Sequence, residues 1–186
     1  KFLAKFNTLR MFYRTPEIIQ RFTREAVEDA ASDNVRHLEL RFTPVALSHA
    51  GHFPLGEVMD WVCESANQAA REFGISVRLI VSVNRHESVE LAEQVTWLAA
   101  ARIGSGILGL DLAGDEAGYS ALLFRGVFKE AHQYGLKLTM HAGEWTGAAN
   151  VHEALETFNA DRIGHGVGVM EDPNTVALAR ELGTPF

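Results

Sequence analysis

Two histidines and a glutamate lie where the sequence predicts that buried strands end. The apolar run at residues 136–140 ends on His141, and Glu144 follows three residues later. A second run, at residues 161–164, ends on His165, which has a glycine on each side. The carboxyl end of a parallel strand is rigid and the turn after it is open, so polar side chains there are both aimed and reachable. Imidazole and carboxyl groups at such positions are suited to metal binding and to proton transfer.

The elements that position these side chains alternate between strand and helix, which is typical of a parallel α/β array. After an entry segment without a clear period at residues 1–13, the predicted strands are 37–42, 77–83, 107–112, 136–140 and 161–164. The first predicted helix starts at Thr15-Pro16, and the others cover about 55–73, 88–102, 120–134, 150–158 and 172–182. Residues 184–186 are predicted to begin another strand. The pattern alone leaves two closures open, a doubly wound open sheet and a (β/α)₈ barrel.

Composition and charge exclude several classes of protein. The 186 residues are 47% hydrophobic and 22% charged, as expected for one globular domain spanning 1–186. The net charge of −7 argues against a nucleic-acid binder, but it does not exclude an uncharged nucleoside. A single cysteine, Cys63, favours a reducing compartment, and we expect a cytoplasmic protein. No apolar run approaches the ~18 residues of a membrane span, and no signal peptide is recognised, although the chain begins with Lys1 rather than Met.

Three motifs carry a resemblance to a known family. They are HAGE at residues 141–144, RIGHG at 162–166 and LDLAGDE at 110–116, each at its own predicted strand end. Any one of them is a weak signal, but the three together in this order are specific. The sequence resembles the adenosine deaminase family of zinc-dependent purine deaminases, and the likeness extends from FLAKF at residues 2–6 to the C-terminus.

The resemblance implies a fold and a cofactor. The family is built on the (β/α)₈ barrel, which usually needs about 250 residues, so we expect an internal portion of a barrel that lacks the first and last strands. The family binds Zn²⁺ through a His-x-His pair on its first strand and through one residue of an Asp-Asp pair on its last, and neither pair occurs here. The remaining zinc ligands are therefore expected outside this chain. We predict that the 186-residue chain alone binds zinc weakly and has no deaminase activity.

The resemblance also implies roles for individual residues. His141 matches the zinc ligand, and Glu144 matches the residue that donates a proton to the purine ring. His165 matches the residue that orients or deprotonates the metal-bound water. Gly114 matches the position whose backbone N–H meets a purine nitrogen, and we expect Glu116, together with its neighbour Asp115, to orient that loop.

Simpler interpretations exist for each of these residues. A histidine at a strand end is often structural, Glu144 could serve only a turn, and His165 could be suited to a tight turn between glycines. Asp111 could hydrogen-bond a metal ligand or have a structural role alone. Arg85, at another strand end, is expected to form an ion pair at the rim rather than to contact substrate.

The predicted function is hydrolytic deamination of adenosine or a related 6-aminopurine nucleoside. Adenosine, adenine, a methylthioadenosine and an aminofutalosine-type nucleoside all fit, whereas an AMP-specific enzyme fits less well with the acidic balance. The expected partner is a small-molecule purine nucleoside, with no nucleic acid and no membrane, and the oligomeric state is left open. One cysteine excludes the zinc deaminases that use an H-x-E…P-C-x-x-C pattern. The alternative is a non-catalytic or degenerate purine-binding barrel fragment.

Overall fold

The computed structural model describes Thr8 and residues 10–186. It divides into two compact units, the first running to Val81 with the addition of Ala101–Leu108, the second comprising Ser82–Ala100 and Gly109–Phe186. Most of the predicted entry segment, and the FLAKF stretch at residues 2–6, lie outside the described residues. Nowhere in the described part of the chain is a helix both long and apolar enough to cross a lipid bilayer.

The first unit is built on helices packed beside a parallel strand pair. Its elements are α1 (Pro16–Ser32), β1 (His37–Phe42), α2 (Pro44–Gly51), α3 (Leu55–Phe73) and residues 76–81 of β2 (Ser76–Asn84). Helix α1 begins at the N-cap Thr15, whose hydroxyl oxygen accepts a hydrogen bond from the Ile18 N–H at 3.4 Å. Helices α1 and α3 pack together, and Arg24 joins them through an ion pair with Glu72 at 2.6 Å.

The second unit contains the predicted strand ends. Its elements are the end of β2, then α4 (Val89–Ala100), β3 (Ile107–Ala113) from residue 109 on, α5 (Arg125–Gln133), β4 (Lys137–Ala142), α6 (Ala148–Glu156), β5 (Arg162–His165) and α7 (Pro173–Leu182). Short 3₁₀ helices occupy Ala121–Phe124 and Val167–Glu171.

The five strands follow one another in the sheet in the same order as in the chain. Strand β3 pairs parallel with β4, from Gly109 opposite Lys137 to Leu112 opposite Met140. Strand β4 pairs parallel with β5, so that His141 faces Gly164 and Ala142 faces His165. Because the strands are parallel, the carboxyl ends of β3, β4 and β5 lie at one edge of the sheet.

All five predicted strands are confirmed, and most predicted helices form within a few residues of their expected bounds. Three predictions are wrong. No helix is predicted between the strand at 37–42 and the helix at about 55–73, but Pro44 begins α2 there. The single helix expected at 120–134 is divided, because a tighter 3₁₀ turn aligns Ala121 with Phe124 and both are buried. Residues 184–186 form no strand, although the Pro185 carbonyl accepts a hydrogen bond from the Ile163 N–H at 3.0 Å.

Asp161 ties the amino ends of β4 and β5 to the end of α5. Its carboxylate accepts the Leu138 N–H at 2.8 Å and the Lys137 ammonium at 2.9 Å, and it lies 3.0 Å from Nε2 of His132. Burial would raise the pKa of Asp161, but these hydrogen bonds outweigh it and hold that pKa below the ordinary value. Asp161 therefore stabilises the folded chain in its ionised form.

We expect Asp161→Asn to destabilise the protein in a pH-dependent way. Because the folded-state pKa of Asp161 lies below the unfolded value of about 3.9, its contribution is fully present above that value and is lost as pH falls through the folded-state pKa. Urea unfolding should therefore show a stability difference from the unsubstituted chain that is constant near neutral pH and shrinks in acid. Asp33→Asn, which removes the same charge at an exposed position, should not reproduce this dependence. A difference that persists in acid would contradict the assignment.

Candidate active site

Asp111 and His141 form a hydrogen-bonded pair at the ends of β3 and β4. Oδ1 of Asp111 lies 2.8 Å from Nδ1 of His141, and Oδ2 accepts a hydrogen bond from the Ser82 hydroxyl at 2.8 Å. Asp111 is fully buried, and the His141 side chain is 12% exposed. A carboxylate at Nδ1 holds the imidazole proton there, so that the lone pair of the neutral ring resides on Nε2. This arrangement is the one that prepares a histidine to bind a metal ion.

His165 and Glu144 lie beside this pair. The rings of His141 and His165 are 5.1 Å apart between centroids and inclined at 60°. Nε2 of His165 is 3.3 Å from Oε2 of Glu144, and their side chains are 39% and 32% exposed. The three predicted site residues of β4, β5 and the loop after β4 therefore converge, with two of them open to solvent.

The backbone at His165 adopts an uncommon conformation. His165 has φ of 72° and Gly166 follows with φ of 66°, so both residues are left-handed. A non-glycine residue in this region is disfavoured, and such residues concentrate at functional sites. Gly166 also needs to be glycine because a Cβ there would collide with the ring of Phe186. Gly166 therefore suits the left-handed backbone of this turn. His165 adopts the same backbone conformation although it is unfavourable for a residue with a side chain.

Gly114 lies just after β3 with φ of 101°, where an L side chain is strained. A Cβ at this position would stand 3.2 Å from the backbone nitrogen of Arg85 and 3.7 Å from Nδ1 of His86. The backbone conformation and the closeness of Arg85 and His86 therefore favour glycine at this position, whether or not a ligand also approaches it.

Arg85 supports the site in a way that the sequence did not predict. Its guanidinium donates hydrogen bonds to the His141 carbonyl at 2.8 Å and to the Tyr119 carbonyl at 3.3 Å. Arg85 is 3% exposed, and burial lowers its pKa below the ordinary value. The expectation of an ion pair is wrong for Arg85, because its donors are used to hold backbone carbonyls. Ser82, which positions the Asp111 carboxylate, was also missed, and its only signal was a hydroxyl within the apolar segment at residues 79–83.

Metal ligands are sparse in this chain. Across Thr8 and residues 10–186, no group of three or more histidine, cysteine, aspartate or glutamate side chains could hold a metal ion. His141 fits a ligand because of its Asp111 partner, but one imidazole does not make a tight zinc site. His141 thus has the environment of a metal ligand, and the described residues by themselves form no complete metal site.

Comparison with known proteins identifies the family. The sequence profile of the adenosine deaminase family matches residues 1–186. The chain belongs to the adenosine deaminase family. It is 36% identical over 173 residues to the adenosine deaminase of Klebsiella pneumoniae subsp. pneumoniae, covering 92% of this chain and 51% of that protein. The predicted resemblance is confirmed, and the chain spans about half the length of the curated relatives it matches.

Two solved structures of similar fold also match. A zinc-bound amidohydrolase from Burkholderia ambifaria is 28% identical with a TM-score of 0.88, covering 96% of this chain and 50% of that one. The N6-methyl-AMP deaminase of Arabidopsis thaliana is 26% identical with a TM-score of 0.86, covering 98% and 55%. These matches confirm the predicted fold class, an internal portion of a (β/α)₈ barrel of the adenosine deaminase family.

We expect Gly114→Ala to destabilise the chain by about 1–2 kcal/mol, since an L residue must then occupy a left-handed conformation. Gly126→Ala is the matched control, because Gly126 lies in α5 and no atom would crowd its Cβ. That substitution should stabilise the chain by roughly 0.5–1 kcal/mol. Urea unfolding followed by circular dichroism measures both effects. Equal stability changes at the two glycines would contradict this account of the turn.

Proposed function

We propose that this chain is part of a zinc-dependent hydrolase that removes the 6-amino group of adenosine or a related purine nucleoside. The observation that carries the proposal is the convergence of His141, Glu144 and His165 at the carboxyl ends of β4 and β5. Membership of the adenosine deaminase family supports it. We also propose that residues 1–186 form one partial barrel that lacks the first and last strands, since the chain matches about half of its relatives' length.

The residues of this chain suit the steps of hydrolytic deamination. His141, oriented by Asp111, is proposed as one ligand of a zinc ion whose other protein ligands lie outside this chain. When bound, zinc makes water a stronger acid and so provides a nucleophile at neutral pH. The zinc-bound amidohydrolase of similar fold supports this choice of metal.

Glu144 and His165 are proposed to move the protons. Glu144 gives a proton to a ring nitrogen of the purine, which makes the adjacent amino-bearing carbon more open to attack. His165 accepts a proton from the attacking water and passes it to the amino group, which leaves as ammonia. The hydroxyl that remains on the same carbon gives its proton back to the Glu144 carboxylate and becomes the carbonyl oxygen. The 3.3 Å separation of Glu144 and His165 is within reach of proton exchange between them. The backbone N–H of Gly114 is proposed to contact a second purine nitrogen and so to orient the ring.

The substrate class is proposed to be a nucleoside rather than a nucleotide. The net charge of −7 disfavours a phosphate group. The similar fold of an N6-methyl-AMP deaminase makes the nucleotide the natural comparison in an assay. A cytoplasmic location is also proposed, supported by the single cysteine, Cys63, which is unpaired.

We expect the 186-residue chain alone to bind Zn²⁺ weakly and to show no deaminase activity. Calorimetric titration should detect no tight one-to-one site, because one imidazole supplies too few ligands. Any weak binding that is seen should decrease further in His141→Ala. A tight stoichiometric site in the isolated chain would overturn the proposal that ligands outside this chain complete the metal centre.

The proposed activity needs zinc ligands from outside this chain, so the test joins this chain to the segments that flank the matched region in the Klebsiella pneumoniae relative. The zinc-loaded chimera should convert adenosine to inosine and release ammonia, and it should act less well on AMP. Glu144→Gln should lower kcat by about 10²- to 10⁴-fold. Glu156→Gln, the same change at a side chain on α6 that is 69% exposed, should leave kcat unchanged. A folded, zinc-loaded chimera that binds adenosine without turnover would instead support the non-catalytic alternative.

A further inference from the structure

A buried carboxylate lies beneath the loop that carries Glu144. Glu116, two residues after Gly114, accepts hydrogen bonds from the backbone N–H groups of Gly143 at 2.9 Å, of Trp145 at 2.5 Å and of Thr146 at 3.0 Å. The side-chain amide of Asn150, at the start of α6, is a fourth donor at 3.3 Å. All four donors belong to one stretch of chain, and that stretch connects β4 to α6.

The charge of Glu116 is well compensated. Glu116 is 6% exposed, and burial of a carboxylate without partners is costly. Burial would raise the pKa of Glu116, but the hydrogen bonds from Trp145, Thr146, Asn150 and Gly143 outweigh it and lower that pKa below the ordinary value. The carboxylate is therefore charged near neutral pH, and charge-assisted hydrogen bonds are the stronger kind.

The anchored amides flank Glu144 on both sides. Gly143 precedes it and Trp145 follows it, and each donates its N–H to Glu116. Gly143 has φ of 69°, and a Cβ there would stand 2.6 Å from Cγ2 of Val151, so the loop has little room for another path. Fixing the backbone on both sides of one residue leaves its side chain only its own rotations. The Glu144 carboxyl is found 3.3 Å from His165.

We propose that Glu116 is a positioning residue that holds the Glu144 carboxyl beside His165, where Glu144 can give its proton to the purine ring, a role that rests on the deaminase function proposed above. Glu116 itself does not touch the substrate. It acts through the loop at residues 143–146, whose backbone N–H groups converge on its carboxylate. Proton transfer is sensitive to such placement, because a misplacement of about 1 Å can cost about 10²-fold in rate.

The direct test is amide hydrogen exchange in the 186-residue chain carrying Glu116→Gln. Glutamine keeps one acceptor oxygen, but its NH₂ group replaces the other oxygen. That group is a donor, so it cannot accept hydrogen bonds from the loop N–H groups. We expect exchange at Gly143, Trp145 and Thr146 to accelerate on the order of tenfold or more, while exchange at Met140 in β4 stays unchanged. Glu87→Gln is the control, since Glu87 accepts from the N–H and side-chain amide of Asn84 in a different loop. Unchanged exchange at the three amides in Glu116→Gln would overturn the proposal.

A second measurement separates positioning from a purely structural role. In the zinc-loaded chimera, Glu116→Gln should lower kcat by about 10²-fold and change KM for adenosine far less, whereas Glu87→Gln should change neither. Accelerated exchange with unaltered kcat would show that Glu116 orders the loop without serving Glu144, and would overturn the positioning role. An inactive parent chimera would count against the proposed function, and the exchange experiment would still decide whether Glu116 anchors the loop.

Discussion

The parallel pairing of β3, β4 and β5 is the constraint on which the candidate site depends. Their register sets Asp111 beside His141 and places His165 level with Ala142, one residue beyond His141 along the strand. Side chains alternate between the faces of a strand, so a slip of one residue in β4 would turn His141 to the other face. The buried apolar residues Leu138 and Met140, which flank Thr139 in β4, resist that slip because it would expose them.

Two buried carboxylates give the site its rigidity. Asp111 fixes the ring of His141, and Glu116 fixes the backbone around Glu144. Neither charge is tolerated without partners in a low-dielectric interior, so each one enforces the geometry of the groups that donate to it. Arg85 adds a buried cation that binds the His141 carbonyl. The partly exposed side chains of Glu144 and His165 therefore lie next to groups that are held in place by buried polar residues.

Strand β2 could be predicted because its segment at residues 79–83 is largely apolar and rich in β-branched residues, and the three motifs marked the ends of β3, β4 and β5. Helix α2 could not, because its short apolar sequence gives no helical period and Pro44 signals either a stop or a start. The strand ends, together with the resemblance to the adenosine deaminase family, predicted a shared site for His141, Glu144 and His165, and the three side chains do lie together. Most partners of Arg85 and Glu116 are backbone groups. Every residue type except proline presents the same N–H and C=O, so the sequence cannot identify these partners.

The left-handed backbone at His165 limits what can replace it. Asparagine, aspartate and glycine tolerate that conformation, whereas valine, isoleucine and threonine are excluded by their branched Cβ atoms. Substitutions tolerated at position 165 are therefore restricted to a few small or polar side chains. A homologue that lost catalysis could keep the same turn with asparagine at this position, and its backbone fold would be unchanged.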